Sequence, residues 1–218
     1  MTFLDRPQLS IDMVSDVICP WCYIGFRSLD WAEMALSFNN SVAIRYRPYR
    51  LDPDTPAEGR DRRATLAGKF PDALQRTSML EALEQSKADV GLQFDPERPE
   101  RIPDTTNAHR LVRWAHESDK QHTAMNALFE AYWHHGEDVS KPGVLVAIAE
   151  EVGLDGREIS ARLQTREDEA SVKEEAAAFR AAGFGGVPAF IVNEATAFTG
   201  ALPKNQLLET IKSIAAEA

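Results

Sequence analysis

The chain has 218 residues, with 34 acidic against 24 basic side chains and a formal charge of −10. That length supports one large domain or two small ones with a substantial core. The acidic balance argues against a nucleic-acid binder, which would carry a basic patch.

Residues 9–18, "LSIDMVSDVI", alternate polar and β-branched or apolar positions, and the spacing predicts a strand. It runs directly into "ICPWCYIG" at 18–25, which holds both cysteines of the chain, Cys19 and Cys22. From Pro20 to about Phe38 the apolar positions Cys22, Phe26, Leu29 and Leu36 recur near helical spacing, and Pro20 suits a first helical turn. A second strand follows over 42–49, "VAIRYRPY", with Pro48 marking its end or an edge. Strand, helix and strand make a βαβ unit with an expected right-handed crossover.

Helical patterns then occupy 71–91, 104–118, 120–135, 141–152 and 165–182. Pro71 and Pro142 stand near starts, and Gly91, Gly153 and Gly183 near ends. The basic "GRDRR" at 59–63 reads as a solvated loop or helix start, and the proline-rich pieces 48–56 and 96–103 as connectors. Trp114, Phe129, Tyr132 and Trp133 read as core of the helical block. Strands return at 188–193 and 195–200, joined by a turn at Asn193–Glu194, before a last helix over 203–216. Sheet elements at both ends with helices between imply one sheet domain, residues 1–58 and 183–218, carrying an inserted all-helical domain, residues 59–182.

The N-terminus lacks the basic, apolar and small-residue parts of a secretory signal, and no apolar run reaches the roughly 18–20 residues that span a bilayer. The cytoplasm is the expected location, without a membrane partner. A Cys-x-x-Cys there points to redox chemistry or a metal. Zinc wants about four ligands, and this chain has one cysteine pair and an adjacent His134-His135 that does not follow helical ligand spacing, so no metal site is expected. At a strand–helix junction Cys19 falls at or beside the helix N-cap, where unpaired N–H groups and the helix dipole favour thiolate over thiol. Cys22, one turn on, lies on the same face and deeper. Cys19 then exchanges with a partner disulfide and Cys22 resolves the mixed disulfide. Asp16, three residues before Cys19, reads as an edge carboxylate in preference to a proton relay for Cys22. In "GGVPAFIV", 185–192, a proline before an apolar strand makes Val187–Pro188 a candidate cis bond, with the Val187 backbone free to pair with an extended substrate.

The segments "SDVICPWCYIG" (15–25), "YRPYRLDPDTP" (46–56), "PDTTNAHRL" (103–111), "LFEAYWHHGEDV" (128–139) and "GFGGVPAFIV" (183–192) together resemble DsbA-like proteins of the thioredoxin superfamily. The likeness is to the FrnE-like branch, related to 2-hydroxychromene-2-carboxylate isomerases and kappa-class glutathione transferases. It implies an α/β thioredoxin fold with a helical insertion, disulfide exchange through Cys19 and Cys22, and a cis Pro188. It places His109 toward the active-site cleft. Where the branch usually reads Pro-Asn-Thr, this chain has Pro103-Asp104-Thr105, a carboxylate in place of an amide.

The implied activity is an oxidoreductase acting on a protein or small-molecule disulfide, with no bound cofactor and glutathione as a redox partner or co-substrate. The alternative on the same fold is a glutathione-dependent isomerase or transferase of a small aromatic or polyketide-like substrate. In those relatives a serine typically stands at the position of Cys19, and this departure weighs against the alternative. Pro20 shapes the first turn. Trp21 lacks the polar stabilisation that a histidine between the cysteines would give a thiolate, so the expected potential lies between the DsbA and thioredoxin extremes.

Overall fold

The protein is described from a computed structural model covering residues 8–217. Four strands form one sheet in the order β2-β1-β5-β6. Strand β1 (Gln8–Ser15) pairs in parallel with β2 (Ser41–Pro48), from Gln8 opposite Ser41 to Ser15 opposite Pro48. Its other edge pairs antiparallel with β5 (Ala189–Val192), which turns back into β6 (Thr196–Thr199). Asn193 and Glu194 both have positive φ, as the tight turn expected there requires. Helix α1 (Pro20–Leu36) completes the β1-α1-β2 unit.

Strand β1 is central and covered on both faces, which explains why Leu9, Ile11, Met13 and Val14 are all buried despite the interleaved polar residues. Asp12 is the charged exception, and it is paired: its carboxylate takes Arg45 Nε at 2.6 Å and Arg47 at 3.0 Å from the neighbouring strand. Ion pairs to Glu194 and Glu175 extend this network.

Between β2 and β5 run seven helices, preceded and interrupted by a two-stranded ladder, among the described residues. They are α2 (Arg62–Lys69), α3 (Ala73–Asp89), α4 (Thr106–His116), α5 (Gln121–Trp133), α6 (Pro142–Glu151), α7 (Gly156–Leu163) and α8 (Glu169–Ala181). The ladder joins β3 (Arg60–Asp61) to β4 (Arg101–Ile102). Its two-residue strands interrupt the all-helical reading of this segment. "GRDRR" supplies both β3 and the start of α2, with Asp61 accepting the Ala64 N–H as N-cap. Helix α7 escapes the apolar periodicity because it is short; its cue is Asp155, whose carboxylate accepts the N–H groups of Arg157 and Glu158. The pattern over 165–182 starts late, since Asp168 takes a left-handed conformation and α8 begins after it.

Helix α9 (Lys204–Glu217) packs on α1. One apolar core runs unbroken from the sheet (Ile11, Met13, Phe190) through α1 (Phe26, Leu29) into the helical segment (Leu111, Leu128, Phe129, Trp133). Trp114 and Tyr132 are buried there as their sequence context indicates. No helix among the described residues is long and apolar enough to cross a membrane.

Candidate active site

Both cysteines sit where β1 hands the chain to α1. Cys19 is the N-cap of α1 and Pro20 occupies its first turn, where a missing N–H costs nothing. The Cys19 sulfur accepts the Cys22 N–H at 3.4 Å. No acidic side chain occupies the first turn of α1, so its positive end is uncompensated. Both cysteines are free thiols and both are buried, Cys22 completely. Burial pushes the Cys22 thiol well above its ordinary range, and the Cys19 sulfur beside it acts in the same direction. The Asp16 backbone amide opposes this, while the Asp16 carboxylate adds to it.

Opposite the cysteines lies the segment entering β5. The Val187–Pro188 bond is cis, and the Cys19 thiol donates to the Val187 carbonyl at 3.6 Å. Pro188 packs onto α1 at Gly25, three residues past Cys22. A Cβ on Gly25 would stand 2.9 Å from Pro188 Cγ and 3.4 Å from Phe190, so only glycine allows this approach. Trp21 is partly buried and lies against the core.

Behind the cysteines the chain buries polar groups. Asp16 is wholly inside the protein, which corrects its reading as an edge carboxylate. It follows the last paired residue of β1, and the chain after β2 folds over it: Tyr49 N–H bonds to Ser15 O at 2.9 Å and Leu51 N–H to Asp16 Oδ2 at 2.7 Å. The other carboxylate oxygen faces Nε2 of His109 at 3.5 Å without a hydrogen bond between them. His109 is itself buried, delivered by the first turns of α4.

Asp104 stands just before α4. It accepts the N–H and hydroxyl of Thr106 at 2.8 and 2.6 Å and a guanidinium N–H of Arg50 at 3.1 Å. Its carboxylate thus orients the start of the helix that carries His109. Arg50 is buried, and its backbone carbonyl is held by Arg180. The Trp133 indole N–H reaches back to Val17 O at 3.0 Å, with the Arg62 guanidinium 5.2 Å from its ring centroid.

Of the residues singled out in the sequence, the structure brings Cys19, Cys22, Val187 and Pro188 into one group and sets His109 beneath it on Asp16. Asp104 acts one step away, through Arg50 and the α4 start. Gly25 and Arg50 were not singled out. Gly25 carries a detectable cue, a glycine inside a helix. Arg50 carries none, because its partners are 54 residues away or farther. Among the described residues no group of His, Cys, Asp and Glu could hold a metal ion.

A parallel strand–helix–strand unit completed by an antiparallel hairpin, with a cysteine pair at the helix start and a cis-proline opposite, defines a thioredoxin-fold thiol site. The chain belongs to the DSBA-like thioredoxin domain family, whose match spans residues 10–212. Among solved structures it is similar to a probable DsbA oxidoreductase, SCO1869, from Streptomyces coelicolor. That match has 24% identity and a TM-score of 0.85, over 96% of this chain and 91% of that one. A 2-hydroxychromene-2-carboxylate isomerase matches with TM-score 0.69 and 13% identity, over 95% of each chain. The cytosolic disulfide reductase DsbM from Pseudomonas aeruginosa, solved with GSH, matches with TM-score 0.63 and 15% identity, over 94% of each chain. At these identities the likeness fixes the fold.

Proposed function

We propose that the protein is a thiol-disulfide oxidoreductase in which Cys19 is the exchanging nucleophile and Cys22 the resolving thiol. The observation that carries this reading is the placement of Cys19 at the N-cap of α1, its sulfur against the Val187 carbonyl and Cys22 sealed beneath it. Burial keeps Cys22 protonated until a mixed disulfide forms above it. Trp21 and Pro20 add no hydrogen-bond donor of the kind a histidine offers, so the potential falls between about −270 and −120 mV, the values of thioredoxin and DsbA.

The substrate in this reading is a protein or small-molecule disulfide, and glutathione is the redox partner; the GSH held by the DsbM neighbour supports that choice. The cytoplasm is the proposed location, in line with the cytosolic DsbM. Residues 59–182 serve as the inserted unit, its helix α4 closing the site from behind.

The test is disulfide reduction with trapping of adducts by mass spectrometry. Cys19→Ser loses all exchange, and Cys22→Ser accumulates a mixed disulfide on Cys19. Full activity in Cys19→Ser would sink the reading. Turnover surviving in Cys22→Ser without any mixed disulfide would instead mark a glutathione-dependent isomerase or transferase.

A further inference from the structure

The sulfur that must meet a substrate is covered. Cys19 is 3% exposed, and its thiol donates to the Val187 carbonyl at 3.6 Å. Exchange requires the attacking sulfur to reach one sulfur of the target disulfide directly, so the chain over Cys19 has to move before a partner arrives. That chain connects α8 to β5, and its ends are built differently from its middle. At the α8 end, Gly183 at φ +92° and Phe184 close the helix in a Schellman cap. The Gly183 N–H bonds to Arg180 O and the Phe184 N–H to Phe179 O, both at 3.1 Å. The Phe179 and Phe184 rings meet edge to face at 5.6 Å. At the β5 end, Pro188 rests on α1 at Gly25. Between these anchors, Gly185 and Gly186 make no backbone–backbone hydrogen bond among the described residues. Nothing lies within 4 Å of where a Cβ on either would stand.

We propose that Gly185–Val187 is a strap that lifts from Cys19 to admit the substrate while Phe184 and Pro188 stay in place, and that Tyr49 is the positioning residue that holds it down. This deepens the disulfide-exchange reading and rests on it. Tyr49 is 2% exposed. Its hydroxyl donates at 3.1 Å to Phe184 O, the last anchored carbonyl before the two glycines. The ring that carries the hydroxyl is fixed on two sides. The Tyr49 N–H is bonded to Ser15 O at 2.9 Å, and the Arg180 guanidinium lies 4.9 Å from the ring centroid. Tyr49 also forms a small buried cluster with Val14 and Ala189, against which Phe179, Phe184 and Val187 pack. One residue thus ties the root of the strap to the end of β1, just before the cysteines. Removing its hydroxyl keeps the apolar packing of this cluster and deletes only the bond that fixes the Phe184 carbonyl, so the strap lifts more often.

The experiment is alkylation of the reduced full chain with iodoacetamide, with the Cys19 adduct followed by mass spectrometry. Rates are compared at their high-pH plateau, where differences of ionisation drop out. In Tyr49→Phe the Cys19 rate rises about fivefold, the equivalent of one neutral hydrogen bond. In the double variant Gly185→Ala, Gly186→Ala it falls about threefold, because neither Cβ meets an obstacle in the closed strap while both narrow the conformations of a lifted one. In each protein the rate stays flat in urea below the unfolding transition, as local opening requires. A rate that climbs with urea along the slope of global unfolding assigns Tyr49 to stability alone and overturns the proposal. Wild-type rates in both variants overturn it as well. Alkylation consumes no disulfide, so a failure here is separate from a failure of the exchange reading, which Cys19→Ser decides. Should Tyr49→Phe fail to fold, the glycine variant decides alone, and a rate unchanged from the wild type refutes the strap.

Discussion

His109 and Arg110 are consecutive buried residues on α4, and they are treated in opposite ways. Arg110 is 2% exposed and fully engaged. Its guanidinium donates to the carbonyls of Glu167, Arg162 and Thr165 and to Asn107 Oδ1, at 2.6 to 3.1 Å. It closes the turn between α7 and α8. His109 is 4% exposed, and its Nε2 makes no hydrogen bond at all. One face of the helix thus shows how the protein buries a charge for stability. The other shows a polar group held inside at a cost, next to a redox pair. A satisfied buried group marks architecture; an unsatisfied one asks for a role.

The largest test of that contrast is paired truncation. Arg110→Leu leaves three carbonyls without their donor and lowers unfolding free energy by about 3 kcal/mol or more. His109→Leu replaces an unpaired group by an apolar one and changes stability by about 1 kcal/mol or less, in either direction. Urea unfolding of both variants measures this. Equal losses would erase the distinction between the two faces.

Gly25→Ala probes the other wall of the site. The added Cβ drives Pro188 away from α1 and opens the Cys19–Val187 contact, with an overpacking cost of about 1–3 kcal/mol. The rate of mixed-disulfide formation falls with it. A variant as stable and as fast as the wild type would show that this close approach is not needed.

Asp30 offers the mildest case. One of its oxygens pairs with Arg27 at 3.2 Å and the other has no hydrogen bond, although His122 Nδ1 lies 3.6 Å away. Burial pushes its carboxyl from 3.8 up to about 7. The folded state therefore holds a proton that the unfolded chain releases near pH 4. The associated stability is intact below that pH and is lost as pH rises through about 7. Comparing pH 5 with pH 8, the wild type loses on the order of 1–2 kcal/mol that Asp30→Asn keeps, after allowance for solvent screening. Denaturation midpoints at the two pH values measure it, and parallel pH dependence in both proteins would contradict it.

The fold was readable wherever the apolar period was long. Strand β1, helix α1 and the β5-β6 hairpin announce themselves through alternation, helical spacing and a turn at Asn193–Glu194. The ladder β3-β4 has two residues per strand, too few for any period, and α7 was missed, its one local signal being the Asp155 cap. In the site, Cys19, Cys22, Val187 and Pro188 were legible because chemistry and position coincide in short motifs. Asp16 was misread because one polar residue at a strand end says nothing of what folds over it. That cover comes from Tyr49–Leu51 and from His109, distant in sequence.

The Trp133 indole hydrogen-bonds to Val17 O, two residues before Cys19. Indole emission responds to local polarity, so a strand–helix turn that tightens or relaxes as the disulfide opens and closes would be seen by this side chain. Trp133 is one of four tryptophans, so the expected sign of this coupling is a difference in emission between the dithiol and disulfide forms that Trp133→Phe abolishes.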